Sequence, residues 1–475
     1  MNVTQVSLLP TEQAAAAGRP ALTPELLAAS GARYSRNNEG LGAILSKIDP
    51  ENMDRSVDTI FRLIDYGHQS IADMVPVAIF IDGVSIWLAY HVWSLCPLAG
   101  GQESSTRYIQ IDPESVIPPD VLGIPATRTA EWRAQMREAF DAYRQALDYW
   151  EQIGNRCPEL MAIPPALLND GSERARKSVD RMKRNYRFDR ARYYLPVAAS
   201  TNLMLVMSAR GWTQLCQQLC SHPLPEAQRL GDRLREELAL TAPRLIKHAV
   251  RRSGIVAGIQ AEFDRLRDMA SAAGLPPALR PESPDVACPP DVTLEVHPPD
   301  DALPGQFADD LRWHDNRYGW IGGQLRRTAV RCRWQAVAMA EIRDMNRHRT
   351  GSKFCPLMPV GFYAATEQIP STLARPDRQA TALRGLTAVG RRLSAQAFDL
   401  LTIGDPSAIY TTLLGTQFPF ERLTHADKFI YEAELRTGLG AHFRYSMHYK
   451  DALSLWYARY PETRGMILEG NAEPE

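Results

Sequence analysis

Two short runs of this chain are dense in side chains that bind anions. The first is Gly100-Gly101-Gln102-Glu103-Ser104-Ser105-Thr106-Arg107-Tyr108. Its glycines let backbone N–H groups approach a ligand closely. Ser104, Ser105 and Thr106 offer short hydroxyls, and Arg107 offers a planar fork that matches a phosphate. The run reads as an oxyanion or phosphate cradle. It reads equally as an ordinary loop closed by a surface ion pair between Glu103 and Arg107. The second run, Arg343-Asp344-Met345-Asn346-Arg347-His348-Arg349-Thr350-Gly351-Ser352-Lys353, places five cationic or potentially cationic side chains within eleven positions. Cations at a helix end are favoured by the macrodipole, which makes a solvated basic face the ordinary account. The alternation Arg347-His348-Arg349 followed by Gly351 and Ser352 also suits a polyanionic cofactor.

Two further groups carry other chemistry. Cys216 and Cys220 sit one helical turn apart with His222 nearby, so three metal ligands are conceivable. The ordinary reading is a pair of buried apolar thiols, and no metal is expected. The stretch Arg174 to Arg192 holds nine basic residues against Asp180 and Asp189. A nucleic-acid binder would use such a stripe, with affinity falling steeply as salt rises. No recognition module accompanies it, and a solvated helix face is the simpler account.

The elements that must position these residues follow from periodicity. In the first part, Met74 to Phe80 reads as a strand, Asp82-Gly83 as a turn, and Val84 to Ser94 as a helix with Ile86, Trp87, Tyr90 and Trp93 at helical spacing. Pro97 to Arg107 is a loop. Glu131 to Ile153 and Arg174 to Arg192 read as helices, Leu203 to Leu219 as an apolar helix, and Glu226 to Leu240 as another. The second part repeats the order. Thr328 to Trp334 reads as a strand, Ala336 to Met345 as a helix, Asn346 to Pro359 as a loop and Asp377 to Leu401 as a helix. Phe418 to Leu435 then leads into the loop Arg436 to Ala441. Val77–Gly100 can be laid on Ala329–Ser352 without a gap, which indicates an internal duplication. Nine prolines between Leu275 and Gly305 mark a stiff, non-helical connector.

Size and charge bound the class. The chain has 475 residues, about right for two domains, with the apolar and charged fractions of a globular protein. A net charge of −1 supplies no global field toward nucleic acid or membrane. No stretch approaches the roughly 20 apolar residues of a membrane span, and Met1 to Pro20 lacks the pattern of a signal peptide. Seven scattered cysteines suit reduced thiols, so a cytoplasmic location is expected.

The two runs together resemble the signature R-H-R-x-x-S-x-N-E-x-S-x-R of the flavin-dependent thymidylate synthases (the ThyX family). The second half keeps Arg347-His348-Arg349-Thr350-Gly351-Ser352. The first half keeps Glu103-Ser104-Ser105-Thr106-Arg107, with Gln102 at the asparagine place. Each half lacks what the other keeps: Leu95-Cys96-Pro97 and Gly100 stand for R-H-R and S, and Phe354 to Pro359 for the remainder. Gly67-His68-Gln69-Ser70 resembles the family's G-H element, Ala191-Arg192-Tyr193-Tyr194-Leu195-Pro196 its A-R-x-x-L-P, and Glu434-Leu435-Arg436 its L-R. Gln218 stands in the first half where that last arginine belongs.

The resemblance implies an α+β fold of two tandem ThyX-like units, each an antiparallel sheet with flanking helices. The first would span 1–274 and the second 306–475, with the linker 275–305 between them. It implies FAD as cofactor, and NADPH and methylenetetrahydrofolate as co-substrates, in the reductive methylation of dUMP to dTMP. The protein's share of that chemistry is positioning and charge stabilisation. Glu103, Ser105, Arg107, Arg192 and Arg436 would bind the nucleotide. Arg347, His348, Arg349, Ser352 and His68 would bind FAD. Arg347, stabilising charge on the pyrimidine, and Ser105 would be the catalytic residues. Family members are homotetramers, so a dimer of tandem chains is expected. Two departures, Asp344 where the family often has Gln and Asp73-Met74 where it often has a second His, leave open another pyrimidine nucleotide or small molecule as substrate. A catalytically inactive paralogue acting as a scaffold is the remaining alternative.

Overall fold

Apolar residues at alternating positions in Pro76–Ser85 and Ala329–Ala338 favour strands with one buried face. In the computed structural model, which describes residues 1–35, 40–48, 57–58, 70–96, 98–244, 246–281, 287–301, 305–370, 378–438 and 440–470, each is a central strand of an antiparallel sheet. The chain folds as two compact units. The first comprises Met1–Ser104, Ile117–Ala126 and Ala198–Asp264, and the second Ser105–Val116, Thr127–Val197 and Arg265–Glu475. The second unit therefore draws on both halves of the sequence. Elements are numbered in chain order.

In the first unit, β1 (Asn2–Val6), β2 (Pro76–Ser85), β3 (Gly100–Glu103) and β4 (Ser200–Ser208) form a four-stranded sheet in the order β1-β2-β4-β3. Helix α1 (Ile86–Leu95) leaves β2 directly. The Ser85 hydroxyl caps it by accepting from the Leu88 amide at 2.9 Å. The buried Glu226 carboxylate accepts in turn from the Ser85 amide and hydroxyl, both at 2.7 Å. Among the longer helices, α2 (Thr129–Arg156) and α3 (Glu173–Ala191) belong to the second unit, and α4 (Ala209–Ser221) and α5 (Pro225–Thr241) to the first.

The second unit has a five-stranded sheet. Its path is β5 (Thr293–His297), β6 (Ala329–Ala338), β9 (Thr416–His425) and β7 (Ser352–Phe354), with β8 (Gly361–Phe362) also paired to β9. Helices α6 (Met339–Asn346), α7 (Arg378–Thr402), α8 (Ala426–Thr437) and α9 (Phe443–Arg459) complete it. The fold is α+β, and the two sheets share one strand order. The ungapped overlay of Val77–Gly100 on Ala329–Ser352 sets β2 on β6, α1 on α6 and β3 on β7.

Several elements differ from their sequence reading. Asp82-Gly83 is no turn: β2 runs through it with a bulge between Asp82 and Val84, and Gly83 takes φ +71° there. The apolar segment expected to be one helix from Leu203 to Leu219 splits into β4 and α4, because Leu203 and Leu205 alternate inward and Ser208 then caps the helix through its hydroxyl. Thr293–His297, inside the Pro-rich stretch, is the edge strand β5. The loop after α6 contains β7, and Phe418 to Leu435 divides into β9 and α8. All seven cysteines are free thiols. No helix is long and apolar enough to cross a membrane, among the described residues.

Candidate functional site

Helix α6 ends a strand–helix unit with all eight of its residues buried, among them Glu341, Arg343, Asp344 and Asn346. Burying charges on one helix costs several kcal/mol each unless partners are supplied. The partner for two of them is Arg192, which follows α3 in a tight turn, Arg192–Tyr194. That turn is pinned by backbone bonds from Gly415 N to Tyr193 O (2.7 Å) and Leu414 N to Leu195 O (2.8 Å). Arg192 is 1% exposed. Its Nη2 lies 3.1 Å from Asp344 Oδ2 and 3.6 Å from Glu341 Oε1. The Tyr193 hydroxyl donates to Glu341 Oε1 at 2.8 Å, while Glu341 Oε2 is buried and accepts no hydrogen bond among the described residues.

These neighbours divide the two acids. Burial pushes the Glu341 carboxyl up to about 7 against the pull of Arg192. Burial acts on Asp344 in the same sense, but the guanidinium groups of Arg192, Arg347, Arg436 and Arg107 outweigh it and hold that carboxyl at about 2. Asp344 is thus a fixed anion and Glu341 a group that titrates near neutrality.

Arg436, near the end of α8, donates from Nη2 to the Asp344 carbonyl at 3.0 Å and from Nε to His348 Nε2 at 2.9 Å. His348 therefore accepts at Nε2 and is neutral; burial first, then the cations around it, hold it well below the usual imidazole range. Arg107 makes a two-pronged pair with Asp189 on α3, Nε to Oδ1 at 2.7 Å and Nη2 to Oδ2 at 2.8 Å. Nη2 also reaches the Gly440 carbonyl at 3.3 Å. The Ser105 hydroxyl accepts from the Arg107 amide at 3.2 Å and so shapes the turn that delivers Arg107.

The Arg347–Arg349 loop is held from below. Lys353 on β7 donates from Nζ to the carbonyls of Asn346 and His348, each at 2.7 Å. Burial and the neighbouring Arg422 push its ammonium down to about 7, with Glu432 opposing. Gly351 closes the loop at φ +74°, where a Cβ would stand 2.2 Å from the Leu423 carbonyl oxygen. Beside this loop lies a cleft of about 780 Å³, lined by Arg347, His348, Arg349 and Arg436 together with Tyr318, Trp320, Arg326, Lys428 and Tyr431. Cations and aromatic rings around one concavity suit a ligand that is both polyanionic and planar.

Ser105, Arg107, Arg192, Arg347, His348, Arg349, Ser352 and Arg436 all belong to the second unit. Ser352 is exposed at the start of β7. Glu103 ends β3 in the first unit, paired in register with Leu203. His68 lies outside the described residues. Sequence reasoning passed over Asp189, Glu341, Lys353, Tyr318 and Trp320. Asp189 carried a signal, as one of the two acids in the basic run of α3, and Lys353 one as a cation of the run Arg343 to Lys353; the others carried none until the fold brought them together. The basic run itself divides: Arg174, Arg176 and Lys177 are exposed, whereas Arg190 is buried against the rings of Tyr186 and Phe443. No group of three or more His, Cys, Asp or Glu side chains converges on a metal position, among the described residues.

Residues 21–244 match the family described as thymidylate synthase complementing protein. The UPF0159 protein Ta1429 of Thermoplasma acidophilum is 26% identical over 239 residues, which are 47% of this chain and 48% of that protein. The chain thus spans about half the length of the curated relative it matches. Similar solved structures include a UMP/dUMP methylase, PolB from Streptomyces cacaoi bound with 5-Br dUMP, at 16% identity over 52% of this chain and 93% of that one, with a TM-score of 0.30. Another is the flavin-dependent thymidylate synthase ThyX of Helicobacter pylori with FAD and dUMP, at 18% identity over 53% of this chain and all of that one, again with a TM-score of 0.30. The match of residues 21–244 to the thymidylate synthase complementing protein family agrees with the family that the chain's motifs resemble.

Proposed function

We propose that the second unit carries the working site of a flavin-dependent enzyme that methylates a pyrimidine nucleotide, dUMP to dTMP, with FAD bound in the cleft. Methylenetetrahydrofolate and NADPH would be its co-substrates. The observation that carries this reading is the meeting of Arg107 and Arg192, from the first half of the sequence, with Arg347, His348 and Arg436 from the second, inside one compact unit. Complementary motif fragments would have no reason to converge in a relic.

The donor set fits FAD: Arg347, Arg349 and Lys428 offer charge to a pyrophosphate, and Tyr318, Trp320 and Tyr431 offer ring faces. Bound FAD would supply the hydride chemistry. The chain's own part is binding and electrostatics. Arg107 spends Nε and Nη2 on Asp189, which leaves Nη1 for a substrate phosphate, with Arg192 and Arg436 adding positive field. Arg347 would stabilise negative charge developing on the pyrimidine. Asp344 orients Arg192 through its carboxylate and Arg436 through its backbone carbonyl. Ser105 sets the Arg107 turn, and Ser352 would add a cofactor contact. The tandem units 1–274 and 306–475 would then be copies of one ancestor, of which one site is kept. A second reading rests on Asp344 itself. A carboxylate only accepts hydrogen bonds, so a base bearing an amino group would complement it as well as uracil does.

The first test is the visible spectrum of the purified protein with added FAD and NADPH. A bound flavin that bleaches with NADPH, and dTMP formed from dUMP and methylenetetrahydrofolate, are expected. No flavin after adding FAD would refute the reading. Light scattering should give the mass of a dimer of tandem chains, and a monomeric mass would remove that part.

A further inference from the structure

One wall of the cleft is not explained by any motif. Tyr318 and Trp320 line it while 73% and 59% of their surface stays open. Large rings left open in a concave site point to a ligand that covers them. The segment that carries them is rigidly built. A Cβ on Gly319 would stand 2.8 Å from the Asn316 carbonyl oxygen, and one on Gly322 would stand 2.0 Å from Asp310 Oδ1. Gly322 N donates to the Asp310 carbonyl at 2.9 Å, and Leu325 N to Asp310 Oδ2 at 2.7 Å. Trp320 is thus delivered to the cleft between two glycines in close approach, Gly319 to the Asn316 backbone and Gly322 to the Asp310 side chain. Arg326 covers one face of its indole, with the guanidinium carbon 4.7 Å from the ring centroid. A ring has two faces, and the stacked cation leaves one for a ligand.

A second observation is independent of the cleft. The overlay of Val77–Gly100 on Ala329–Ser352, continued toward the N-terminus without a gap, sets Tyr66-Gly67-His68 on Tyr318-Gly319-Trp320. Tyrosine and glycine are identical in the two copies. Trp320 therefore holds in the second repeat the place that His68 holds in the first, and it does so in the unit that keeps Arg347-His348-Arg349.

We propose that Trp320, backed by Arg326, is the residue on which a planar ring of the bound dinucleotide stacks, with its phosphates on Arg347 and Arg349. This inference rests on the flavin reading above and adds a ligand contact that the motifs do not contain. Trp320 confers grip and orientation on the cofactor; it transfers no proton or electron pair.

The test uses the full-length protein stripped of flavin and titrated with FAD, following both tryptophan and flavin emission. Trp320→Leu is expected to weaken FAD binding roughly tenfold, the size of one lost ring stack. Trp320→Phe, which keeps a ring face, should stay within about threefold of the parent. Quenching of tryptophan emission by FAD should shrink in both variants. Brighter flavin emission in Trp320→Leu would assign the stacked ring to the isoalloxazine. Unchanged flavin emission with weakened binding would assign it to the adenine, and ADP should then show the same dependence on Trp320. Because the side chain is open to solvent, the variants should keep the parental circular dichroism and melting temperature. Equal FAD affinity in the parent and in Trp320→Leu would overturn the inference alone. A parent that takes up no FAD would overturn the flavin reading, and this inference with it.

Discussion

Helices α1 and α6 occupy the same place in two sheets of the same strand order, yet they bury opposite chemistry. In α1 the buried residues are Ile86, Trp87, Leu88, Ala89, Tyr90, Val92 and Trp93. In α6 they include Glu341, Arg343, Asp344 and Asn346. Under the ungapped overlay, Ala89 stands for Glu341, Val92 for Asp344, Leu95 for Arg347 and Cys96 for His348. An apolar helix gains free energy from its burial, whereas a buried charged helix roughly breaks even at best. The same architecture is stable with the apolar version, so the fold does not require the charges of α6. That difference marks the second unit as the one under a constraint other than folding.

The comparison is broken most severely by removing the shared counter-ion. Arg192→Leu leaves Asp344 and Glu341 buried without it, which should cost about 3–5 kcal/mol of stability. Chemical denaturation checks this. A loss below about 1 kcal/mol would mean that α6 tolerates its acids without Arg192, and the argument from buried charge would fall. Next comes Arg347→Ala, which gives the loop the neutral character of Leu95. It is expected to lower turnover roughly a hundredfold with folding intact, close to 3 kcal/mol at the barrier. Unchanged turnover would return the scaffold reading to the front.

The third test sharpens the contrast by pH. Glu341 has its pKa raised from 4.5 to about 7 in the folded chain, so its contribution to stability is fully present below about pH 4.5 and is lost as pH rises through 7. Asp344 is shifted the other way, from 3.8 to about 2. Its contribution is present above pH 3.8 and lost as pH falls through 2. Between pH 4.5 and 7 Glu341 contributes a slope that falls with rising pH, against the rising slope of buried histidines such as His348, His442 and His448, which are held below their ordinary value of 6.5. Glu341→Gln should remove that falling part, on the order of 3 kcal/mol over the window. A slope that persists unchanged in the variant would assign the titration to another group.

How much of this was legible in sequence depends on which forces place each residue. The repeated strand–helix–strand unit follows from local periodicity, so Val77–Gly100 and Ala329–Ser352 could be matched before any fold was known. The motif residues Arg107, Arg192, Arg347, His348 and Arg436 were legible as chemistry. Their meeting in one unit was not, because it depends on α2 and α3, from the first half of the sequence, folding with the second sheet. Glu341 reads in sequence as an ordinary helix-surface acid, and only burial under Tyr193 reveals its role. Leu203 and Leu205 were read with a helical period because an apolar run of that length fits both periods, and pairing with β2 decided between them. Trp320 was silent because a lone exposed tryptophan has no periodic signature.

The smallest effect expected concerns the loops that follow the two helices. In the overlay, Lys353 on β7 stands for Gly101 on β3. Gly101 takes φ +155°, and a Cβ there would stand 1.9 Å from the Met204 carbonyl oxygen, so no side chain can reach back from β3 to the end of α1. Lys353 does reach back, to the carbonyls of Asn346 and His348. Lys353→Met keeps the length of the side chain and removes both donated bonds, at about 1 kcal/mol each. The loss should be local. Amide exchange over Arg347–Gly351 should quicken roughly tenfold, exchange over the end of α1 should not change, and the melting temperature should fall by only a few degrees. FAD affinity should weaken with the loop, because Arg347 and Arg349 then sample more positions before they meet a phosphate. Unaltered exchange over Arg347–Gly351 would show that β7 pairing and the Gly351 turn hold the loop without the lysine, and the two loops would then differ in charge but not in how they are fixed.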